Sequence, residues 1–271
     1  MKIGLQVYSI RDDANADFAA AMKKVKEFGY DGVELAGRYG LEAPAMRQIL
    51  DDLGLEAISA HVQLDEMLST PEDTFNFYKT VGCRFMAIPW MGEEGRPGGV
   101  KFEETLENIR RAGALAKEYG ITLLYHNHDF EFVMLDGKRG LDVMYDSVSA
   151  DLLQTELDTC WVNIGGENPA AYVVKYTGRA PVVHLKDFFK REGATADNMY
   201  ELIGVAKKVE AAPTFEFRCV GHGMQDMPAI LGAAEEAGAE WVIVEQDRPS
   251  QGLTPMECAY ISRKYLTSVG Y

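Results

Sequence analysis

The chain has 271 residues and a formal net charge of −15. This charge repels phosphate backbones and anionic membrane surfaces, so nucleic acid and membranes are poor partners and a small molecule is a better one. The longest apolar runs, such as WVIVE and APVVHL, fall far short of the roughly 20 residues that a transmembrane helix needs. Met1 leads directly into a strand and not into a signal peptide, which favours a cytoplasmic location.

A recurring pattern runs along the chain: an amphipathic helix that ends in glycine, followed by a short apolar strand. The glycines stand where a helix C-terminus needs a left-handed residue, at Gly29, Gly54, Gly82, Gly120, Gly178 and Gly238. With the opening KIGLQVY and the run LLQTELD, the pattern predicts eight strands near residues 3–8, 31–35, 56–61, 84–88, 121–126, 152–157, 181–185 and 241–245. Such a series predicts an α/β fold, a single-domain (β/α)8 TIM barrel over residues 1–271.

The alternative fold is a doubly wound sheet. It lacks support, because no G-x-G-x-x-G motif follows any strand. The extra segment TFEFRCVGHGMQD (214–226) predicts an elaborated loop between the seventh and eighth strands. The cysteines are widely spaced and form no C-x-x-C pair, which predicts reduced thiols at Cys83, Cys160, Cys219 and Cys258.

The residues at the strand ends are the candidates for function, because the active site of a (β/α)8 barrel lies at the C-terminal ends of its strands. In chain order the strands end at Gln6 and Tyr8, Glu34, His61, Pro89 and Trp90, His126 and His128, Glu156 and Asp158, His184 and Lys186, and Glu245 and Asp247. A single strand-end histidine or carboxylate is usually a cap. The whole set predicts a metal site, since mixed imidazole and carboxylate ligands suit Mn²⁺, Co²⁺, Zn²⁺ or Fe²⁺ better than Ca²⁺.

The stretch LLYHNHDFEF (123–132) forms the predicted fifth strand and its end. Strand alternation directs His126 and His128 toward the same side as Leu124, whereas Glu131 has the opposite parity. Glu131 reaches a metal only if the strand ends or bulges after His128. Either His126 or Glu131 therefore completes the ligand set with Asp158, His184 and Glu245, and the sequence leaves both open.

Several motifs together resemble the sugar phosphate isomerase/epimerase family with the xylose isomerase-like barrel. They are GLQVYSIRD, YHNHDFEF, LDTCWV (157–162), VVHLKD (182–187), VGHGMQD (220–226) and VIVEQD (242–247). The resemblance implies a homo-oligomer with one divalent metal, preferably Mn²⁺, with Co²⁺, Zn²⁺, Fe²⁺ or Mg²⁺ as alternatives. The family's strand-six Asp, strand-seven His and strand-eight Glu match Asp158, His184 and Glu245. Its strand-five Glu is replaced by His126, with Glu131 nearby.

The resemblance implies an isomerase or epimerase that moves a proton of a ketose or keto-polyol through an enediolate. Glu245 is then the base, His126 or His128 the second acid/base group, and Lys186 the neutraliser of oxyanion charge. The same enediolate can expel a β-substituent, so a lyase acting on a keto-sugar, inosose or 3-keto-glycoside is the alternative. The scattered arginines slightly favour an unphosphorylated substrate.

Two functions from other classes are disfavoured. The barrel also resembles endonuclease IV, but three zinc ions need more rim ligands than five histidines allow, and DNA needs a basic face. A non-catalytic sugar-binding barrel would keep Tyr8, Trp90 and Trp161 for stacking and let the metal ligands decay. The intact strand-end ligands argue against it.

Overall fold

The structure is a computed structural model, and it describes residues 1–192, 198–204 and 214–271. Its strands are β1 (Lys2–Gln6), β2 (Gly32–Leu35), β3 (Glu56–Ala60), β4 (Phe85–Ile88), β5 (Thr122–His126), β6 (Met134–Leu135), β7 (Lys138–Arg139), β8 (Gln154–Asp158), β9 (Val182–Leu185), β10 (Asp187–Lys190), β11 (Phe215–Arg218) and β12 (Trp241–Val244). Eight of them form one parallel sheet in the order β3-β2-β1-β12-β9-β8-β5-β4. A parallel bridge between His61 and Ala87 joins its two edges. The predicted TIM barrel is confirmed, and the doubly wound alternative is excluded.

Helices connect the barrel strands. They are α1 (Arg11–Ala16), α2 (Phe18–Phe28), α3 (Ala43–Leu53), α4 (Leu64–Ser69), α5 (Pro71–Val81), α6 (Phe102–Glu118), α7 (Gly140–Ser147), α8 (Thr159–Ile164), α9 (Pro169–Lys175), α10 (Met199–Leu202), α11 (Met227–Ala237) and α12 (Pro255–Ser268). All of the glycines predicted after helices have positive φ angles, for example 105° at Gly82, which ends α5. In the described part of the chain, no helix combines the length and apolarity needed to cross a membrane.

The barrel interior changes character along its axis. Its base is an apolar cluster of Ile58, Phe85, Ala87, Leu124, Val182, Trp241 and Ile243. Because side chains alternate along a strand, the residue two positions further on points to the same side. His126 therefore follows Leu124, His184 follows Val182, and Glu245 follows Ile243. The apolar base thus passes into a polar layer at the C-terminal end of the barrel.

The predicted elaborated loop between the seventh and eighth strands contains a strand, and a further strand precedes it. β10 follows β9 almost at once and pairs antiparallel with β11, so the predicted extra segment contributes one strand of a two-stranded sheet. The Asp187 carboxylate accepts hydrogen bonds from the backbone N–H groups of Gly221 and Gly223, at 3.0 and 2.9 Å. Asp187 therefore holds the loop after β11 and is not an ion-pair partner of Lys186.

The prediction of four reduced cysteines is corrected. Cys219, just after β11, and Cys258, in α12, form a disulfide across 39 residues of sequence. The sequence spacing gave no sign of this pairing, because only the folded barrel brings the loop after β11 and the last helix together. Cys83 and Cys160 are free and buried.

Candidate metal and active site

Four ligand-type side chains meet at the C-terminal rim of neighbouring barrel strands. His126 ends β5, Asp158 ends β8, His184 lies in β9 and Glu245 directly follows β12. The parallel register pairs Asp158 with His184, which sets these two side chains at one height. We call His126, Asp158, His184 and Glu245 the rim cluster. Each offers one ligand atom, and these atoms all lie within 4.8 Å of one another.

The distances inside the rim cluster are short. His184 Nδ1 lies 2.7 Å from Glu245 Oε2. His126 Nε2 lies 3.2 Å from Glu245 Oε2 and 3.5 Å from Asp158 Oδ2. Burial lowers the pKa of His126, but the Glu245 and Asp158 carboxylates outweigh it and raise the pKa above its usual value. Two imidazoles and two carboxylates therefore face one small space.

The hydrogen bonding of the rim cluster fits a bound cation. Asp158 Oδ1 accepts from the N–H groups of Cys160 and Trp161, at 2.8 and 3.2 Å. Within the described residues, Asp158 Oδ2 and both ring nitrogens of His126 are buried and make no hydrogen bond. Buried polar atoms nearly always have a partner, and an ion is one explanation for such exceptions. Two nitrogen and two carboxylate ligands suit Zn²⁺ and its first-row neighbours.

Glu131 does not join the rim cluster. It lies in a 3-10 turn (Phe130–Phe132) behind the strand end. Its Oε1 accepts a hydrogen bond from Tyr125 Oη at 2.6 Å, and its Oε2 accepts one from the His128 N–H at 2.8 Å. Burial raises the pKa of Glu131 to about 7. Of the two fourth ligands left open by the sequence, the structure brings His126 and not Glu131 to the other three residues.

Lys186 lies beside the rim cluster and is almost fully buried. Its Nζ is 2.5 Å from Asp247 Oδ2, 3.5 Å from Asp158 Oδ2 and 3.6 Å from Glu245 Oε1. Burial lowers the pKa of Lys186, but the three carboxylates, Asp247 foremost, hold it well above its usual value. Lys186 is therefore a cation inside the site.

His128 faces the same space and is surrounded by aromatic side chains. Its ring stacks on Phe130 and meets Trp90 edge-on, with centroids 5.1 and 4.9 Å away. Burial, followed by the charges of His126 and Lys186, holds the pKa of His128 well below 6.5. His128 is therefore a neutral imidazole near the rim cluster.

A cavity of about 410 Å³ opens above the rim cluster. Its described lining consists of Tyr8, Ala36, His61, Gln63, Pro89, Trp90, His126, His128, Ile203, Glu245 and Asp247. Trp90 lies at the rim as predicted, but Trp161 is fully buried, because α8 starts directly after Asp158. His222, in the loop after β11, is exposed and lies near Tyr265.

A match to a family model covers residues 22–264, and the model describes a xylose isomerase-like TIM barrel. The chain belongs to this family. The match spans most of the chain, including all four residues of the rim cluster. It agrees with the resemblance that the strand-end motifs indicated.

Relatives in this xylose isomerase-like family carry several descriptions. The chain is 23% identical to an inosose dehydratase of Lacticaseibacillus casei, over 92% of this chain and 88% of the relative. A sugar phosphate isomerase/epimerase structure from Parabacteroides distasonis is 22% identical, with a TM-score of 0.77, and the match covers 99% of this chain and 94% of that one. A structure of the IolI protein with a binding zinc atom is 15% identical, with a TM-score of 0.73, and covers 99% and 98%. At these identities the solved structures show the fold alone.

Three further strand-end residues, which received no role from the sequence, also lie close together. Glu34, His61 and Glu156 lie next to the rim cluster and, with His184, form a second group that we call the lower cluster. His61 Nε2 is 2.8 Å from Glu156 Oε2 and 3.1 Å from Glu34 Oε1. A carboxylate inside an otherwise apolar strand, as in GVEL, was the signal that could have marked this cluster.

Proposed function

We propose that this protein is a divalent-metal-dependent dehydratase, which removes the proton beside the carbonyl of a keto-polyol such as an inosose and then expels water. The observation that supports this most is the rim cluster, in which four buried ligand atoms converge and two of the residues, His126 and Glu245, line a cavity. The inosose dehydratases among the relatives support the choice of reaction. The sequence alone favoured an isomerase or epimerase and kept a lyase as the alternative.

The proposed metal ligands are His126, Asp158, His184 and Glu245. A divalent ion held there would polarise the carbonyl of a bound ketone and stabilise the negative charge that develops when the neighbouring proton leaves. We propose Mn²⁺ as the ion, with Zn²⁺ as the alternative that the two imidazole ligands and the zinc-binding IolI protein support.

Glu245 is the proposed base. Burial raises its pKa, but Lys186 and His126 outweigh that effect and hold the pKa well below its usual value. The carboxylate is therefore ionised and borders the cavity, where it can accept the proton from the α-carbon.

Lys186 is the proposed proton donor. Its ammonium group gives a proton to the departing hydroxyl as the C–O bond breaks, so that water leaves. Glu245, which now holds the proton from carbon, lies 3.6 Å from Lys186 Nζ and returns a proton to it. The net change is the loss of one water molecule from the substrate.

Dehydration is preferred over epimerisation because of His126. Epimerisation needs a proton acceptor on one face of the substrate and a donor on the other. If His126 Nε2 is a metal ligand, its lone pair is no longer available to exchange a proton with carbon. An isomerase or epimerase remains the second candidate because neutral His128 also borders the cavity and can serve as the other base.

The cavity supports an uncharged substrate. Its described lining includes the carboxylates Glu245 and Asp247 and contains no arginine or lysine, and the neighbouring cation Lys186 is already paired with Asp247 at 2.5 Å. A phosphate would need such cations or a backbone anion site. Tyr8 and Trp90 offer apolar surfaces to the C–H faces of a ring. We therefore propose an unphosphorylated cyclic keto-polyol.

Turnover in D₂O tests the proposal. Metal-loaded enzyme is incubated with inososes, ketoses and 3-keto-glycosides, and the products are followed by NMR and mass spectrometry. We expect an inosose to lose one water and Glu245→Gln, which keeps the side-chain shape, to be inactive. Recovery of an epimer that carries deuterium at the α-carbon would establish the second candidate instead. Hydrolysis without any need for a carbonyl would contradict both.

A further inference from the structure

His184 lies between two buried carboxylates. Its Nδ1 is hydrogen-bonded to Glu245 Oε2 at 2.7 Å in the rim cluster, and its Nε2 makes an ion-pair contact of 2.8 Å with Glu34 Oε1 in the lower cluster that is not aligned as a hydrogen bond. A neutral imidazole holds one proton, on one nitrogen or the other. The nitrogen that keeps the proton cannot bind a metal. An acceptor beside Nε2 that holds the proton there therefore leaves Nδ1 free to bind a metal.

Glu34 is held firmly in place by neighbouring strands. The Gln6 side-chain amide donates to Glu34 Oε1 at 2.6 Å, and the Ser59 hydroxyl donates to Glu34 Oε2. Gln6 ends β1 and Ser59 lies in β3, so both anchors flank Glu34 on β2. All three side chains are fully buried. The carboxylate therefore has little freedom to move away from His184.

We propose that Glu34 is a positioning residue, which keeps the proton of His184 on Nε2 so that Nδ1 is the nitrogen that binds the metal. This inference rests on the metal site of the proposed function and adds a residue that does not touch metal or substrate. Carboxylates that accept the second N–H of a metal-bound histidine fix its tautomer and ring orientation and make the ligand nitrogen more basic. Losing such a partner typically weakens metal binding about 10–100-fold.

Glu156 provides a matched control. It belongs to the same lower cluster and is equally buried, but its Oε2 lies 3.7 Å from His184 Nε2, beyond hydrogen-bond distance. Its close partner is His61 Nε2 at 2.8 Å. A general effect of removing a buried charge near the site should therefore appear in both Glu34→Gln and Glu156→Gln. The loss of the Nε2 contact should appear only at Glu34.

The experiment compares wild type, Glu34→Gln and Glu156→Gln. Zn²⁺ affinity is measured by competition with a chelator, and long-range ¹H–¹⁵N NMR of the histidine-labelled, Zn²⁺-loaded proteins reports the His184 tautomer. Zn²⁺ is used because it is diamagnetic. We expect wild type and Glu156→Gln to have Nε2 protonated. Glu34→Gln should bind Zn²⁺ about 10–100-fold more weakly and have a mixed or altered tautomer.

Equal affinity and an unchanged tautomer in Glu34→Gln would overturn the proposal, as would equal losses in the two variants. If Glu34→Gln does not fold, Ser59→Ala loosens one anchor and keeps the charge, and it should weaken Zn²⁺ binding to a smaller extent. An unchanged affinity and tautomer in Ser59→Ala would then count against the proposal. A wild type that binds no Zn²⁺ refutes the metal site itself, which separates that failure from a failure of the role of Glu34 alone.

Discussion

Separate replacement of His126 and Glu131 tests which residue supplies the fourth metal ligand. His126→Ala removes Nε2, which lies 3.2 Å from Glu245 Oε2 and 3.5 Å from Asp158 Oδ2. Loss of an outer partner of a metal ligand already costs about 10–100-fold in affinity. Loss of a ligand should cost more, so the metal Kd should rise more than about 100-fold, which is about 2.7 kcal/mol. Glu131→Gln should leave the Kd within about twofold, because Glu131 contacts Tyr125 and the His128 backbone instead.

The assay is chelator competition with Zn²⁺ and with Mn²⁺, on proteins whose far-UV circular dichroism matches wild type. His222→Ala is the control, since this exposed histidine lies near Tyr265, away from the cavity lining, and its loss should not change the Kd. The reasoning is refuted if His126→Ala keeps wild-type affinity while Glu131→Gln loses it.

Three further predictions concern stability, catalysis and substrate binding. Burial raises the pKa of Glu131 from 4.5 to about 7, so the folded state binds this proton more tightly than the unfolded state does. The free energy of unfolding of the wild type should therefore fall by about 3 kcal/mol as the pH rises from 4.5 to about 7. Urea unfolding at pH 5 and pH 8 should show this loss in wild type relative to Glu131→Gln, and the same pH dependence in both would contradict it. Lys186→Met should lower kcat about 10²–10⁴-fold and leave one bound metal, measured by steady-state kinetics and elemental analysis; full activity would exclude Lys186 as the donor. Trp90→Ala should raise KM more than it lowers kcat, and an unchanged KM would mean that Trp90 does not contact the substrate.

The barrel was predictable because its signals are local. Each strand is a short apolar run, and a glycine at a left-handed position precedes most of them, so their number and order could be read from the sequence. Strand parity also directed His126 and His128 toward one space. The strand β10 was missed because it follows β9 without a turn that the sequence marks.

The contacts that were missed all join distant parts of the chain. Strand parity places Glu34 inside the barrel, but it does not reveal that Glu34 meets His184 across 150 residues of sequence. The parity of Glu131 disfavoured it as a ligand, yet only the turn after His128 decides where its carboxylate lies. The disulfide between Cys219 and Cys258 depends in the same way on a loop meeting the last helix.

The most direct test of the account is the position of the metal. Crystals grown with Mn²⁺ would be measured at a wavelength where manganese scatters anomalously. We expect one strong anomalous peak per chain, at coordination distance from His126 Nε2, Asp158 Oδ2, His184 Nδ1 and a Glu245 oxygen. A rim cluster without a peak in crystals of protein that binds Mn²⁺ in solution, or a peak coordinated by Glu131 in place of His126, would contradict the account.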